Sequence, residues 1–292
     1  MIEYQYPNNR SSLLPPILVA GFAAALATVA AWFLTHMPMV AMTERVARTI
    51  VLAVWLVVLT LLVRNARTAR PLVTGLGAGI AAALVGVTLI GGTMRRPVVT
   101  DAAPVPAAEV AAAGVSTGQI VLGWLAMGVL FGVIAGLAAW RGGRADVSVS
   151  NEPKPWLARF ALVTALAVAP LLFVGGLVTS TDSGMAVPDW PTTFGSHMLD
   201  YPIGKGSPAD VFLEHSHRLF GMLVGLASLT LMVWVLVARV RGWARIVAVV
   251  AFLLVVGQGL IGAYRVLHDS RLLAMVHGVL AQLVFGLIVA LA

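Results

Sequence analysis

The sequence contains no cysteine, which excludes disulfides, thiolate metal sites and cysteine-held iron–sulfur clusters. Acids are scarce, with 12 Asp and Glu against 19 Lys and Arg in 292 residues, and charged residues of every kind make up only 11%. A chain this poor in charge, 60% hydrophobic and with a mean hydropathy of +0.95, does not have the composition of a soluble globular domain. The net charge of +7 and pI near 10.8 would suit a nucleic-acid binder, but the basic residues are spread over short loops instead of gathered on one face, which excludes that class.

What fills the chain is apolar runs. A hydrocarbon core about 30 Å thick needs about 20 apolar residues in a helix. Runs of that order occupy 14–35, 72–91, 118–140, 158–178, 211–238, 244–264 and 272–292, with a shorter one at 46–63. The fold class is therefore an all-α polytopic membrane protein with eight transmembrane helices. Its first run opens on Pro15-Pro16 and already has spanning length, so it reads as helix one and not as a cleavable signal. The last run ends in "LIVALA" without a flanking charge, so the natural chain is expected to continue.

Loop charges set the orientation. With the N-terminus inside, the inner loops hold Arg10, Arg64, Arg67, Arg70, Arg141, Arg144, Lys154, Arg159, Arg239, Arg241 and Arg245. The outer side holds Arg45, Arg48, Arg95, Arg96, Lys205, Arg265 and Arg271, with Arg218 at a helix mouth. The tightest clusters, "RNARTAR" and "ARVRGWAR", are both inner, so both termini are expected to be cytoplasmic. The protein is then a multi-pass protein of the inner (plasma) membrane, and the long segment 179–210 lies outside.

The stretch "RGGRADVSVSNEPKPW" (141–156) is turn-rich and polar, and divides the chain four spans to four. The halves look related, as two pseudo-repeated four-helix bundles: 1–140, a linker over 141–157, and 158–292 with its outer loop 179–210. "ALVGVTLIGGTMRR" (83–96) resembles "LVVGQGLIGAYRV" (254–266), "ERVARTI" (44–50) resembles "EHSHRLF" (214–220), and "VLGWLA" (121–126) resembles "VHGVLA" (276–281). On this alignment Ala47 stands where His217 does, and Leu122 where His277 does. The second half has a histidine pair and the first has lost both members.

His36 and His268, in outer loops, and His197, in the outer segment, read as solvated. His215 neighbours Glu214 but stands about 200° around the helix from His217, so the two cannot face one partner. His217 and His277 each follow the outer start of their helix by about 9 Å, on helices running the same way. Intramembrane ionisable side chains are costly and usually functional. Two imidazoles at one depth are what a bis-histidine haem requires; the plainer alternative is that each bonds a backbone carbonyl. Glu214, three residues before His217, shares its face. It is either an ion pair with Arg218 at i+4 or a carboxylate beside a bound substrate, and the two roles can coexist. In "VPDWP", prolines restrict the backbone around Asp189-Trp190, and Trp190 is equally an interface anchor or a site residue.

Taken together, "TDSGMAVPDWP", "EHSHR", "VHG" and "GQGLIGAYRVL" resemble the haem A synthase family over about 156–292, the half of the catalytic type. The resemblance implies a membrane oxidoreductase converting the C8 methyl of haem O to the formyl group of haem A for cytochrome c oxidase biogenesis. It implies that His217 and His277 ligate the haem iron, that Glu214 is the catalytic acid, and that Arg218 and Trp190 help bind the cofactor, haem O as substrate or haem B. Haem O synthase, oxidase assembly factors and membrane lipid are the implied partners. If the natural chain does not continue past Ala292, there is no second histidine pair to relay electrons, and they are expected to come from another donor or a second subunit. The alternatives are a haem b-binding electron-transfer or haem-handling membrane protein, or a non-catalytic assembly partner.

Overall fold

The computed structural model describes residues 12–94, 116–142, 156–240 and 242–292. Eight long helices carry the chain: α1 (Leu14–His36), α2 (Glu44–Ala66), α3 (Pro71–Ile90), α4 (Thr117–Arg141), α5 (Trp156–Ser180), α6 (Ala209–Val237), α7 (Trp243–His268) and α8 (Arg271–Val289). All eight are long and apolar enough to cross a membrane, which is the architecture read from the sequence. Local chemistry sets several starts. Prolines occupy the first turns of α1 and α3, where a missing N–H costs nothing. Ser116 and Gln119 form a reciprocal capping box on α4, and Ser270 caps α8 by accepting from the Leu273 amide at 3.3 Å. The linker 141–157 lies largely outside the described residues, as do Arg10, Arg95, Arg96, Arg144, Lys154 and Arg241.

The first four helices pack closely, α1 against α2 and α3, and α4 against α2 and α3. The α3–α4 seam is backbone on backbone. A Cβ at Gly79 would collide with the Gly128 carbonyl oxygen, and one at Gly136 would lie 2.8 Å from the Leu72 Cα. Small residues spaced four apart are how membrane helices approach this closely, since lipid offers no hydrophobic drive to hold them together. The interior that remains is filled by aromatics: Trp55 packs on Trp124 with ring centres 5.2 Å apart and edge-on to Phe131 at 5.3 Å.

The last four helices take a more open arrangement, a ring in which α5 touches α6 and α8, and α7 touches α6 and α8. α1 joins the two sets, with Phe22 edge-on to Phe160 of α5, and Trp32 and Phe33 against Phe212 of α6.

Glutamate–arginine pairs recur at the starts of α2 and α6. Glu44 pairs with Arg48 at 3.4 Å just as Glu214 pairs with Arg218 at 2.7 Å, both at i+4. Ala47 is buried among exposed neighbours, whereas Leu122 is 68% exposed and α4 turns Trp124 inward onto Trp55.

This seam is testable. Gly79→Ala forces backbone apart and is expected to cost about 1–3 kcal/mol, lowering the thermal midpoint of the detergent-solubilised protein. Gly221→Ala, where a Cβ meets open space, is expected to leave it unchanged or raise it. Equal midpoints for the two variants would refute the close seam.

Candidate functional site

In the ring of the second half, α6 and α8 face each other across the interior with α5 and α7 between them. His217 on α6 and His277 on α8 meet there, ring centres 6.2 Å apart and planes at 78°. Glycines on the intervening helices make the room: a Cβ at Gly175 of α5 would lie 2.9 Å from His217 Cε1, and one at Gly262 of α7 would lie 3.5 Å from His277 Cε1. Both Nδ1 atoms are buried without a well-formed hydrogen bond. Gln258 of α7 fixes the backbone at His277, donating from its Nε2 to the His277 carbonyl at 3.2 Å.

This pair fits a haem. Two imidazoles on one iron place their ring centres about 6 Å apart, from about 2 Å per iron–nitrogen bond plus the distance inside each ring. A bare ion such as zinc takes about three or four protein ligands. Among the described residues no group of three or more His, Asp or Glu converges. A porphyrin supplies its own four nitrogens and asks the protein for two.

Glu214, three residues before His217, is 3% exposed and has both oxygens engaged: Oε1 accepts from Arg218 at 2.7 Å and Oε2 from the Val187 amide at 2.8 Å. Arg218 spends its remaining terminal N–H groups on backbone carbonyls of the segment between α5 and α6, those of Val187 at 2.8 Å, Asp189 at 2.8 Å and Thr192 at 3.1 Å. The expectation that Arg218 helps bind the cofactor is corrected in this respect. Only its Nε–H is left over, so the guanidinium holds the segment in place instead of waiting for a ligand.

The segment is structured. Thr192–Thr193 (β1) pairs antiparallel with Ser196–His197 (β2), through a turn in which Phe194 and Gly195 both have positive φ, 49° and 76°. Asp189 secures that turn, accepting from the Phe194 and Gly195 amides at 2.8 Å each. Trp190 stands 39% exposed on this segment.

The other histidines part from the pair. His215 is buried, bonded to Thr193 Oγ1 at 3.1 Å and packed on Tyr201, so it serves the outer segment as its helical phase implied. His36 does not lie solvated in a loop: it ends α1, is buried, and lies 2.9 Å from the Trp32 carbonyl and 3.6 Å from Glu44. His268 also belongs to a helix end, exposed and stacked on Tyr264 at 3.8 Å. His197 is exposed as expected.

One residue was missed. Arg265 of α7 stands one turn beyond Gly262, which lies beside His277, and its guanidinium rests against Gly184, where a Cβ would collide with it. The signal was present: Gln258, Gly262 and Arg265 fall at i, i+4 and i+7, one helix face. Counting Arg265 only as a loop charge hid that face.

Burial opposes ionisation of Asp189, but hydrogen bonds from Gly195, Thr192 and Phe194 outweigh it and hold its pKa below the usual carboxylate value. A carboxylate with a depressed folded pKa stabilises the fold above its unfolded pKa of about 3.9, and that contribution is lost as pH falls through the folded value. Hydrogen exchange at the Phe194 and Gly195 amides is expected to stay protected at neutral pH and to open below about pH 4. Asp189→Asn is expected to open it already at neutral pH; unchanged protection in that variant would show that the turn does not depend on the charge.

Residues 204–292 match the family model described as cytochrome oxidase assembly protein. The heme A synthase of Shouchella clausii is 30% identical over 145 residues, 46% of this chain and 44% of that protein. That of Geobacillus kaustophilus is 36% identical over 107 residues, 36% of this chain and 32% of that protein. That of Lysinibacillus sphaericus is 36% identical over 116 residues, 38% and 36% of the two chains. The chain thus spans less than half the length of these relatives. No solved structure matches it. Glu214, His217, Arg218, Arg265 and His277 all lie within the residues that match the cytochrome oxidase assembly model, and the resemblance of the chain to the haem A synthases is borne out.

Proposed function

We propose that the second four-helix half binds haem between His217 and His277 and that the chain acts in haem A formation, oxidising the C8 methyl of haem O to a formyl group for cytochrome oxidase. The observation that carries this reading is the pair of imidazoles 6.2 Å apart with unbonded Nδ1 atoms, inside the stretch that matches the cytochrome oxidase assembly model. Haem O is the substrate, received from haem O synthase, and the protein sits in the inner membrane with both termini cytoplasmic.

The chain's own residues divide the work. His217 and His277 hold and orient the haem through Nε2. Glu214 has used two of its about four lone-pair sites on Arg218 and Val187; the rest remain to stabilise positive charge or carry a proton next to the bound haem. The segment from Val187 to Thr192, fastened by Arg218, keeps water from the end of the site nearest α6's first turns.

A second reading has one observation in its favour. His217 and His277, 6.2 Å apart, would hold haem B equally well, and that group would supply electron transfer. Haem extracted from the purified protein and separated by chromatography distinguishes them: haem O together with haem A supports the synthase, haem B alone the carrier.

The carboxylate is tested in the same assay. Glu214→Gln keeps an acceptor for Arg218 and is expected to retain bound haem O while the yield of haem A falls about a hundredfold, the lower end of a general acid–base contribution of about 10²–10⁴-fold. Wild-type yield in this variant would remove Glu214 from the chemistry.

A further inference from the structure

Two arginines approach the histidine pair, and they differ in what surrounds them. Arg218 is saturated by Glu214 and three backbone carbonyls. Arg265 is partly buried, stands one turn beyond Gly262, whose Cβ position is 3.5 Å from His277, and among the described residues no acceptor is bonded to it. A partly buried guanidinium without a partner is costly unless an anion joins it. Its position is also built: Gly184, buried in the segment leaving α5, is the residue against which the guanidinium lies, and any side chain there would displace it.

A haem carries two propionate carboxylates at one edge of its ring. Arginine is the side chain suited to them, since its planar fork matches a carboxylate's two oxygens. We infer that Arg265 is the carboxylate anchor of the site, pairing with a haem propionate and fixing which edge of the ring faces the α5–α6 segment, with Gly184 as the residue that positions it. This inference rests on the haem reading above and deepens it. It gives the carboxylate contact to a residue with free donors, which Arg218 lacks.

The test uses the purified full-length protein in detergent, stripped of haem and titrated with haem B and with haem B dimethyl ester, whose propionates are uncharged. Binding is read from the Soret band, not from turnover. The wild-type protein is expected to prefer the free acid by about tenfold or more, as a charge-assisted pair implies. Arg265→Gln is expected to lose that preference by weakening the free acid alone, with the ester's affinity and the bis-imidazole spectrum kept. Arg265→Lys is expected to keep part of it, and Gly184→Ala to reduce it with Arg265 still present. If Arg265→Gln discriminates acid from ester as the wild type does, the anchor is elsewhere and the inference falls while the haem site stands. If the wild-type protein binds neither compound, the haem reading falls and this inference with it.

Discussion

Arg218 reaches from α6 into the backbone of the segment above it, and its charge is met by Glu214 one turn earlier on the same helix. Both side chains are nearly inaccessible, 9% and 5% exposed, so neither is stable there alone: removing one partner of a buried pair leaves an uncompensated charge at a cost of about 3–5 kcal/mol. The pair therefore fixes the path of residues 187–192, and with it the Asp189-capped turn, the contact of Thr193 with His215, and the placing of Gly184 against Arg265. A helix whose loop end is held this way presents His217 to the interior at a fixed depth and phase.

The two halves of the chain put glycine to different physical use. In the first, glycines on α3 and α4 let backbones touch, and the interior closes over Trp55, Trp124 and Phe131. In the second, glycines stand beside imidazole rings instead of beside another backbone, and four helices keep a ring with two histidines across it. Glycine serves closure in one bundle and clearance in the other, and on the proposed reading that clearance is what lets one half hold a porphyrin.

Much of this was legible in the sequence because the bilayer imposes few solutions. The eight spans followed from run length alone, since every backbone polar group in lipid must be bonded within a helix. His217 and His277 followed from depth and helical phase, and His215 was set apart by the same phase argument. What was not legible depended on contacts between elements distant in the chain. Arg265 gains its meaning from Gly184, and Arg218 loses its expected ligand role because three loop carbonyls occupy it. Leu122 is exposed while Trp124 turns inward onto Trp55, an effect of packing that no local pattern carries. His36, read as solvated, is buried because the start of α2 brings Glu44 to it.

The central claim is that His217 and His277 bind one haem iron together. The most direct measurement is the low-temperature electron paramagnetic resonance spectrum of the oxidised, haem-loaded protein and of its His217→Ala and His277→Ala variants. The account predicts a low-spin bis-imidazole signal in the wild type that is lost in each variant separately, replaced by a high-spin signal or by loss of haem. Full retention of the low-spin signal in either variant would contradict it.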